Sequence, residues 1–190
     1  MTPMTDERLA GLGSMKRVRD IMIPLDKYPW VKLSDTLRDA VEVMKDAHLA
    51  VGRRASLPRV VLVFDHHEEL VGIVRRRDIM RGLEPDFLGN QPLDYQVTYF
   101  DVGFDHHLTE LSEGFSLERV VKGLREQSHR PISDVMRPIS TTLKPDDQIM
   151  KAVYEMVSLN ESLIAVVEDQ EVLGVIRSVD VFHELAQLLR

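Results

Sequence analysis

The sequence contains an internal repeat, and a repeat limits the folds open to a chain more than any single motif, because each copy must form the same unit. The letters VRDIM at 18–22 are similar to ISDVM at 132–136, and a proline follows each within two residues, at Pro24 and Pro138. After each opening comes a segment with apolar residues at helical spacing, preceded by polar residues that are typical of helix caps. The sequence therefore predicts two copies of one unit.

Each copy continues with the same order of elements. The predicted helices carry their apolar stripes at 37–44 and 149–156, after the cap candidates Asp35 and Asp147. Each helix leads to two runs rich in Val, Ile and Leu, which is typical of strands buried on both faces. Each copy then closes with a glycine, two apolar residues, three further residues and an aspartate that opens another helix. The predicted strand pairs are Val60–Phe64 with 70–74, and 163–167 with 172–176.

These patterns predict an α/β fold of the α+β type, in which two strand-helix-strand-strand-helix repeats pack through their sheets. One copy alone is too small to bury its own sheet. We place an N-terminal arm or helix at 1–16, the first repeat at 17–83, an insertion at 84–130 and the second repeat at 131–190. The insertion matches neither copy and is too long for a simple connection, so we expect it to be partly structured, with a helix at 117–127.

The composition excludes several classes of protein. The chain has 190 residues, of which 44% are hydrophobic and 29% charged, a balance typical of soluble globular proteins. With no cysteine it has no disulfide, thiol nucleophile or thiolate metal site. The longest apolar run, Val60–Phe64, is far too short to cross a membrane, and the N-terminus lacks the apolar core of a secretory signal. We expect a cytoplasmic protein that does not contact a membrane.

The net charge of −7 makes general nucleic-acid binding an unfavourable hypothesis, because that function needs a basic face. Residues 53–81 are the local exception, with seven arginines and no lysine. Arginine without lysine favours directed pairing with carboxylate or phosphate. The alternatives are a solvated face, or pairing with the acidic half of the chain.

Motifs for catalysis and metal binding are lacking in the sequence. There is no phosphate-binding loop of the G-x-x-x-x-G-K-[ST] type and no G-x-S-x-G turn. The pairs His66-His67 and His106-His107 do not have the spacing of a helical or hairpin zinc site. We therefore predict no metal site, no catalytic residue and no enzyme activity.

The opening D-[IV]-M-x-P, the amphipathic helix, the two buried strands and the closing glycine-to-aspartate motif together resemble a tandem pair of cystathionine β-synthase (CBS) domains, over about 17–83 and 131–190. The resemblance implies a regulatory rather than catalytic module. It also implies clefts between the repeats for adenosine-containing ligands, namely AMP, ADP, ATP or S-adenosylmethionine, with none of them an obligatory cofactor. Pairs of this family often assemble as dimers, and the sequence does not identify a regulated partner.

The resemblance also implies site residues. Asp78 and Asp180, which close the two copies, are expected to accept hydrogen bonds from a ribose; the alternative is that they only cap helices. Arg75 and Arg177 stand where nucleotide-binding members usually have serine or threonine. Each arginine could contact phosphate or point to solvent and close the pocket. Five further residues are expected along the pocket: Pro58, Val60, Ile139, Ser140 and Thr141.

Two functions follow from these residues. The two arginines favour a structural or protein-interaction module with a degenerate nucleotide site. The two aspartates and the arginines of 53–81 favour a module that senses an adenosine nucleotide, and this is our prediction. We also expect a homodimer, because the stripes of the helices at 37–44 and 149–156 and the closing helices would be costly if left in water.

Overall fold

The computed structural model of the chain describes residues 16–47, 49–51, 54–86 and 116–189. Residues 1–15 of the predicted arm at 1–16, most of the predicted insertion and the pair His106-His107 lie outside the described residues. Within the described ranges the predicted order of strand, helix, strand, strand, helix is present in both copies.

The elements are numbered along the chain, and three short 3₁₀ helices, Val18–Asp20, Leu25–Lys27 and Ile132–Asp134, accompany them. The first part contains β1 (Ile23–Pro24), β2 (Trp30–Lys32), α1 (Leu37–Asp46), β3 (Leu49–Val51), β4 (Arg54–Ser56), β5 (Val60–Phe64), β6 (Leu70–Arg75) and α2 (Arg76–Leu83). The second part contains α3 (Leu117–Ser128), β7 (Arg137–Pro138), β8 (Thr142–Leu143), α4 (Ile149–Leu159), β9 (Leu163–Glu168), β10 (Glu171–Arg177) and α5 (Ser178–Leu188).

Two four-stranded sheets are formed, and each takes one edge strand from the other repeat. The strand order is β2-β5-β6-β7 in the first sheet and β1-β10-β9-β8 in the second. Thus Ile23 of the first repeat pairs with Val175, and Arg137 of the second pairs with Ile73. Strand β2 runs parallel to β5 and β8 parallel to β9, while the other pairs in these sheets are antiparallel. The sequence did not predict this exchange.

The exchange extends to the 3₁₀ helices that precede β1 and β7. The amide of Val18 donates to the carbonyl of Asp147, and the amide of Ile132 donates to that of Asp35, at 2.9 and 3.0 Å. Val18 and Ile132 are fully buried, each in the core of the opposite repeat. Each copy of the repeated opening motif therefore binds to the opposite repeat.

The glycine of each closing motif lies where an exchanged strand passes. A Cβ atom on Gly72 would lie 2.7 Å from the carbonyl oxygen of Arg137, and one on Gly174 would overlap the carbonyl of Ile23. Since a methyl group cannot fit there, glycine is required at these two positions by close backbone approach.

Apolar side chains form three buried clusters. One lies between sheet and helices in each repeat, and the third lies between the two sheets. The third cluster draws Leu62 and Ile73 from the first sheet and Val175 from the second, which confirms that the repeats pack through their sheets.

The helix starts differ from the prediction in a way that matters for the site. The N-cap of α1 is Thr36, whose hydroxyl accepts the amide of Asp39, rather than Asp35. Helices α2 and α5 begin at Arg76 and Ser178, so that Asp78 and Asp180 lie at the third helical position. The alternative that these aspartates are N-caps is therefore wrong.

The stripes used to argue for a homodimer lie inside their own repeats. Leu37, Ala40 and Met44 of α1 are buried, as are their counterparts in α4, Ile149, Ala152 and Met156. The part of the homodimer prediction that rests on these stripes is wrong, whereas Phe182, Leu188 and Leu189 of the predicted closing helix, on which it also rests, are exposed. Helix α3, close to its predicted bounds, packs against α1 and α2. In the described part of the chain, no helix is long and apolar enough to cross a bilayer.

Candidate functional site

A cleft of about 390 Å³ lies between the two repeats, a size within the range of ligand pockets. Its apolar part is formed by Tyr28, Val60 and Leu163, with Leu57 at the edge. Its polar part contains Arg59 and Arg76 from the first repeat, and Ser162, Ser178 and Arg177 from the second; Val179 completes the lining.

The cleft arises because corresponding parts of the two repeats meet there. Val60 starts β5 and Leu163 starts β9, and each pairs with the arginine that ends the next strand, Arg75 or Arg177. The same backbone bond then fixes each helix start: the amide of Arg76 donates to Arg59, and that of Ser178 donates to Ser162, at 2.8 and 2.9 Å. Strand starts and helix N-termini of both repeats therefore border one cavity.

The two arginines at the predicted hydroxyl positions form the same contact in both repeats. Arg75 donates from Nε and Nη2 to the two carboxylate oxygens of Asp78, at 2.7 and 3.1 Å. Arg177 donates in the same way to Asp180, at 2.6 and 2.9 Å. These are bidentate, charge-assisted pairs between the first turn of a helix and the residue before it. We call each pair a fork.

The first fork lies in charged surroundings. Its side chains are 28% exposed for Arg75 and 8% for Asp78. The hydrogen bond from Arg75 holds the pKa of Asp78 below its usual range, and the nearby charge of Arg137 acts in the same direction. The bond to Asp78 raises the pKa of Arg75, and Glu161 contributes a smaller attraction.

The second fork is more enclosed. The side chains of Arg177 and Asp180 are 10% and 11% exposed, and Tyr28 lies close enough to interact with both charges. Burial raises the pKa of Tyr28, whose hydroxyl donates to the carbonyl of Val60 at 2.9 Å. Tyr28 is therefore bound to the start of β5 and lies within range of the charges of the second fork.

Two cationic side chains at the cleft remain available to a ligand. The guanidinium of Arg76 donates from Nη2 to the carbonyl of Pro58, which leaves its other N–H groups available. Arg59 is exposed and makes no side-chain hydrogen bond or ion pair within the ranges that the structure describes. These arginines line the same cleft as the hydroxyl-bearing Ser162 and Ser178.

The cleft brings together only some of the predicted site residues. Val60 and Arg177 line it, and Pro58 is buried beside it with its carbonyl bound to Arg76. Ile139 packs at the cluster between the sheets, while Ser140 is exposed and Thr141 is half-buried. Arg75, Asp78 and Asp180 do not form part of the lining, and only the second fork borders the cleft, through Arg177.

Eight lining residues had not been predicted, and five of them carry polar side-chain groups: Tyr28, Arg59, Arg76, Ser162 and Ser178. The repeat itself contained a signal for four of them, because they flank the matching strand and helix starts of the two copies. Tyr28 carried no such signal, since it follows an exchanged strand. Among the described residues, no group of three His, Asp or Glu side chains could hold a metal ion.

The family model described as "CBS domain" matches residues 18–85 and 132–187, which is more than half of the chain. Among curated proteins, none matches the sequence significantly.

Solved structures share the fold at low sequence identity. The CBS domain of a CBS domain-containing membrane protein from Sphaerobacter thermophilus is 21% identical, with a TM-score of 0.61, covering 94% of this chain and 93% of that one. The CBS-pair protein CBSX2 from Arabidopsis thaliana is 16% identical, with a TM-score of 0.60 and coverage of 93% and 99%. A structure of CBSX2 in complex with AMP is 18% identical, with a TM-score of 0.55 and coverage of 92% and 98%.

Proposed function

The chain belongs to the CBS domain family, as a tandem pair of CBS domains, and from that premise we propose that it is a regulatory module that binds an adenosine-containing nucleotide between its repeats. The observation that carries the proposal is the cleft, which joins an apolar wall of Tyr28, Val60 and Leu163 to an edge of arginines and serines. An apolar wall suits a purine base, and an arginine edge suits phosphate. The AMP complex of CBSX2 supports this ligand class.

The ligand class comprises AMP, ADP, ATP and S-adenosylmethionine, with none of them required as a cofactor. We keep Asp78 and Asp180 as proposed ribose contacts. A carboxylate offers about four lone-pair sites and a fork occupies two, so each aspartate can still accept from a ribose diol. Arg75 and Arg177 remain proposed phosphate contacts, which requires their forks to open.

Calorimetry and thermal unfolding with adenosine, AMP, ADP, ATP and S-adenosylmethionine test this function, with GMP and GTP as controls. A ligand at 100 times its dissociation constant stabilises the fold by about 2.7 kcal/mol. Arg59→Gln should weaken a phosphate-bearing ligand about tenfold, because it removes one charge-assisted bond. Arg77→Gln is the matched control, since Arg77 is exposed and does not line the cleft.

A second candidate function is favoured by the forks themselves. Both proposed ribose contacts are already bound by an arginine of the same chain, as expected if the site had lost its ligand and the protein served as an interaction module. The two functions differ in one result. The absence of binding heat for every adenosine ligand would favour the interaction module.

We further propose a non-enzymatic, cytoplasmic protein that forms a homodimer and does not bind nucleic acid or a membrane. The lack of cysteine and the acidic net charge support the location and the lack of nucleic-acid binding. Exposed apolar side chains on α4 and α5 support the dimer. Light scattering should give about twice the chain mass of 21.8 kDa. We also propose domain boundaries at 17–83 and 131–190, with an insertion at 84–130.

A further inference from the structure

A groove lies outside the cleft, between α3 and the helices of the first repeat. Its volume is about 430 Å³, within the range of ligand pockets. Three helices and the residue after α3 provide the lining: Arg38, Val41 and Glu42 of α1, Leu83 of α2, Val121, Leu124, Arg125 and Ser128 of α3, and His129. None of these residues lines the cleft between the repeats, so the groove is a separate site.

The apolar residues of the groove remain in contact with water. Val41 and Leu124 are 37% and 39% exposed, and Leu83 and Val121 are half-buried. Because these side chains line a concave surface, a ligand with an apolar body would remove them from water together. The groove thus suits a ligand that is partly apolar.

The charged residues of the groove leave one positive charge in excess when His129 is neutral. Arg38 and Glu42 lie one turn apart on α1, and their Nε and Oε1 atoms are 3.4 Å apart, so their charges offset each other. Within the ranges that the structure describes, the side chain of Arg125 forms no hydrogen bond or ion pair. Its guanidinium therefore remains available to an anion.

His129 and Ser128 extend the polar part of the groove beside Arg125. His129 follows Arg125 by four residues, a spacing that places two side chains on one face. The hydroxyl of Ser128 donates to the carbonyl of Arg125 at 2.7 Å, which leaves its oxygen lone pairs open. A planar guanidinium and an imidazole N–H one turn apart suit a carboxylate. Cations near the end of α3 also suit the helix dipole, but that role requires no apolar groove beside them.

The extent of the groove favours a small molecule over a helix of a partner protein. The wall on α1 runs only from Arg38 to Glu42, about 6 Å at 1.5 Å per residue. A docked amphipathic helix presents anchors at i, i+3, i+4 and i+7, which extend over about 10 Å. The single excess charge favours a monoanion over a ligand with several phosphates.

We propose that this groove binds a small monocarboxylate with an apolar body. The carboxylate contacts Arg125 and His129, and the apolar part covers Val41, Leu83 and Leu124. The first repeat then carries a binding site that is independent of the nucleotide cleft proposed above.

Octanoate is the probe, and octanamide is its neutral match, in calorimetry and amide chemical-shift titrations of the full chain. Octanoate should bind with a dissociation constant of about 1 mM or less and shift the amides of Val41, Leu83 and Leu124. Octanamide should bind at least tenfold more weakly, because it lacks the charge that pairs with Arg125.

Two substitutions on α3 test the role of the guanidinium. Arg125→Gln should raise the dissociation constant of octanoate about tenfold. Lys122→Gln is the matched control, since it removes the same charge from an exposed position of α3 outside the lining and should leave the constant unchanged. Leu124→Gln, at a partly exposed position, should weaken octanoate and octanamide alike. Circular dichroism checks that each variant is folded.

The result that overturns the proposal differs from the one that overturns nucleotide binding. No octanoate binding at about 10 mM, or equal binding of octanamide, excludes a carboxylate site in the groove. Chemical shifts confined to the cleft residues Tyr28 and Val60 would do the same. Equal affinities of the parent and Arg125→Gln, or equal weakening by Lys122→Gln, would also overturn it. Adenosine nucleotides enter none of these measurements.

Discussion

The first and second forks contain the same hydrogen bonds but lie in different surroundings. The Arg75–Asp78 fork has Arg137 and Glu161 nearby and an arginine that is partly exposed. The Arg177–Asp180 fork is enclosed, with Tyr28 beside it. The exchange of strands explains the difference, because Arg137 and Ile23 are corresponding residues of the two exchanged strands. The strand exchanged into the first sheet thus carries the charged Arg137 at the position where the strand exchanged into the second sheet carries the apolar Ile23.

The comparison separates a shared structural role from a local one. Since the fork is present in both repeats, it serves the fold of each helix start whether or not a ligand binds. What differs between the two forks is how much the stability of the molecule depends on each of them. We expect the second fork to contribute more to stability, and we expect the first to make the stability depend on pH.

The largest effect is expected from substitutions that disrupt the exchange of edge strands between the two repeats. Gly174→Ala places a methyl group on the backbone carbonyl of Ile23, which cannot give way, and should cost about 3 kcal/mol or more of unfolding free energy. Gly72→Ala meets the flexible side chain of Met136 and also the carbonyl oxygen of Arg137, which is less close than that of Ile23 at Gly174, and should cost about 2–3 kcal/mol. Urea unfolding measures both. Equal losses would contradict the difference between the two crossings.

Removing the arginine of each fork compares the pairs directly. Arg177→Met leaves a carboxylate with little solvent, and should cost about 3 kcal/mol, the lower end for a broken buried pair. Arg75→Met should cost less, roughly 1–2 kcal/mol, because the charge of Arg137 remains near the buried Asp78.

Chemical unfolding of both arginine variants gives these values. The double variant Arg177→Met, Asp180→Leu is the control, since replacing a whole pair by apolar residues is often neutral. A greater loss for Arg75→Met than for Arg177→Met would reverse the proposed ranking.

Tyr28 lies beside the second fork only. Removing its hydroxyl therefore tests how much this difference between the two forks contributes to stability. Tyr28→Phe keeps the ring but leaves the buried carbonyl of Val60 without its side-chain donor, which should cost about 1 kcal/mol. Thermal unfolding of this variant, with Tyr154→Phe on an exposed surface as control, tests the contact. No difference between the two variants would show that the hydroxyl does not stabilise the cleft.

The smallest expected effect is the pH response of the first fork. The pKa of Asp78 is lowered in the folded protein by Arg75, so the fork stabilises the fold above the unfolded pKa of about 4. That contribution is lost as the pH falls through the lower folded pKa. Between about pH 4 and 2, the unfolding free energy should fall less steeply for Asp78→Asn than for the parent. Parallel curves would contradict this.

Periodicity predicted the regular elements well. The stripes at 37–44 and 149–156 lie within α1 and α4, and Val60–Phe64 is a strand with the predicted bounds. These segments were readable because burial of one face imposes a spacing on the sequence. The exchanged strands β1 and β7 have two residues each, too few to show any period.

The forks were hidden by a displaced helix start. The aspartates were expected to open α2 and α5, whereas the helices begin two residues earlier. Had Arg75 and Arg177 been placed at the N-caps, the spacing of three residues would have predicted contact with Asp78 and Asp180, because such residues are neighbours on a helix. Helix ends are fixed by cap geometry, which the apolar pattern does not contain.

The exchanged strands also impose an order on biosynthesis. Residues 23–24 are translated about 150 residues before their partners at 174–175. The first sheet likewise lacks its edge until residues 137–138 have been made. Contacts so distant in sequence form slowly, because a long loop must close before they contribute. A nascent first repeat therefore has an unpaired sheet edge until the start of the second repeat has been translated, which makes that period the one in which chaperone protection matters most.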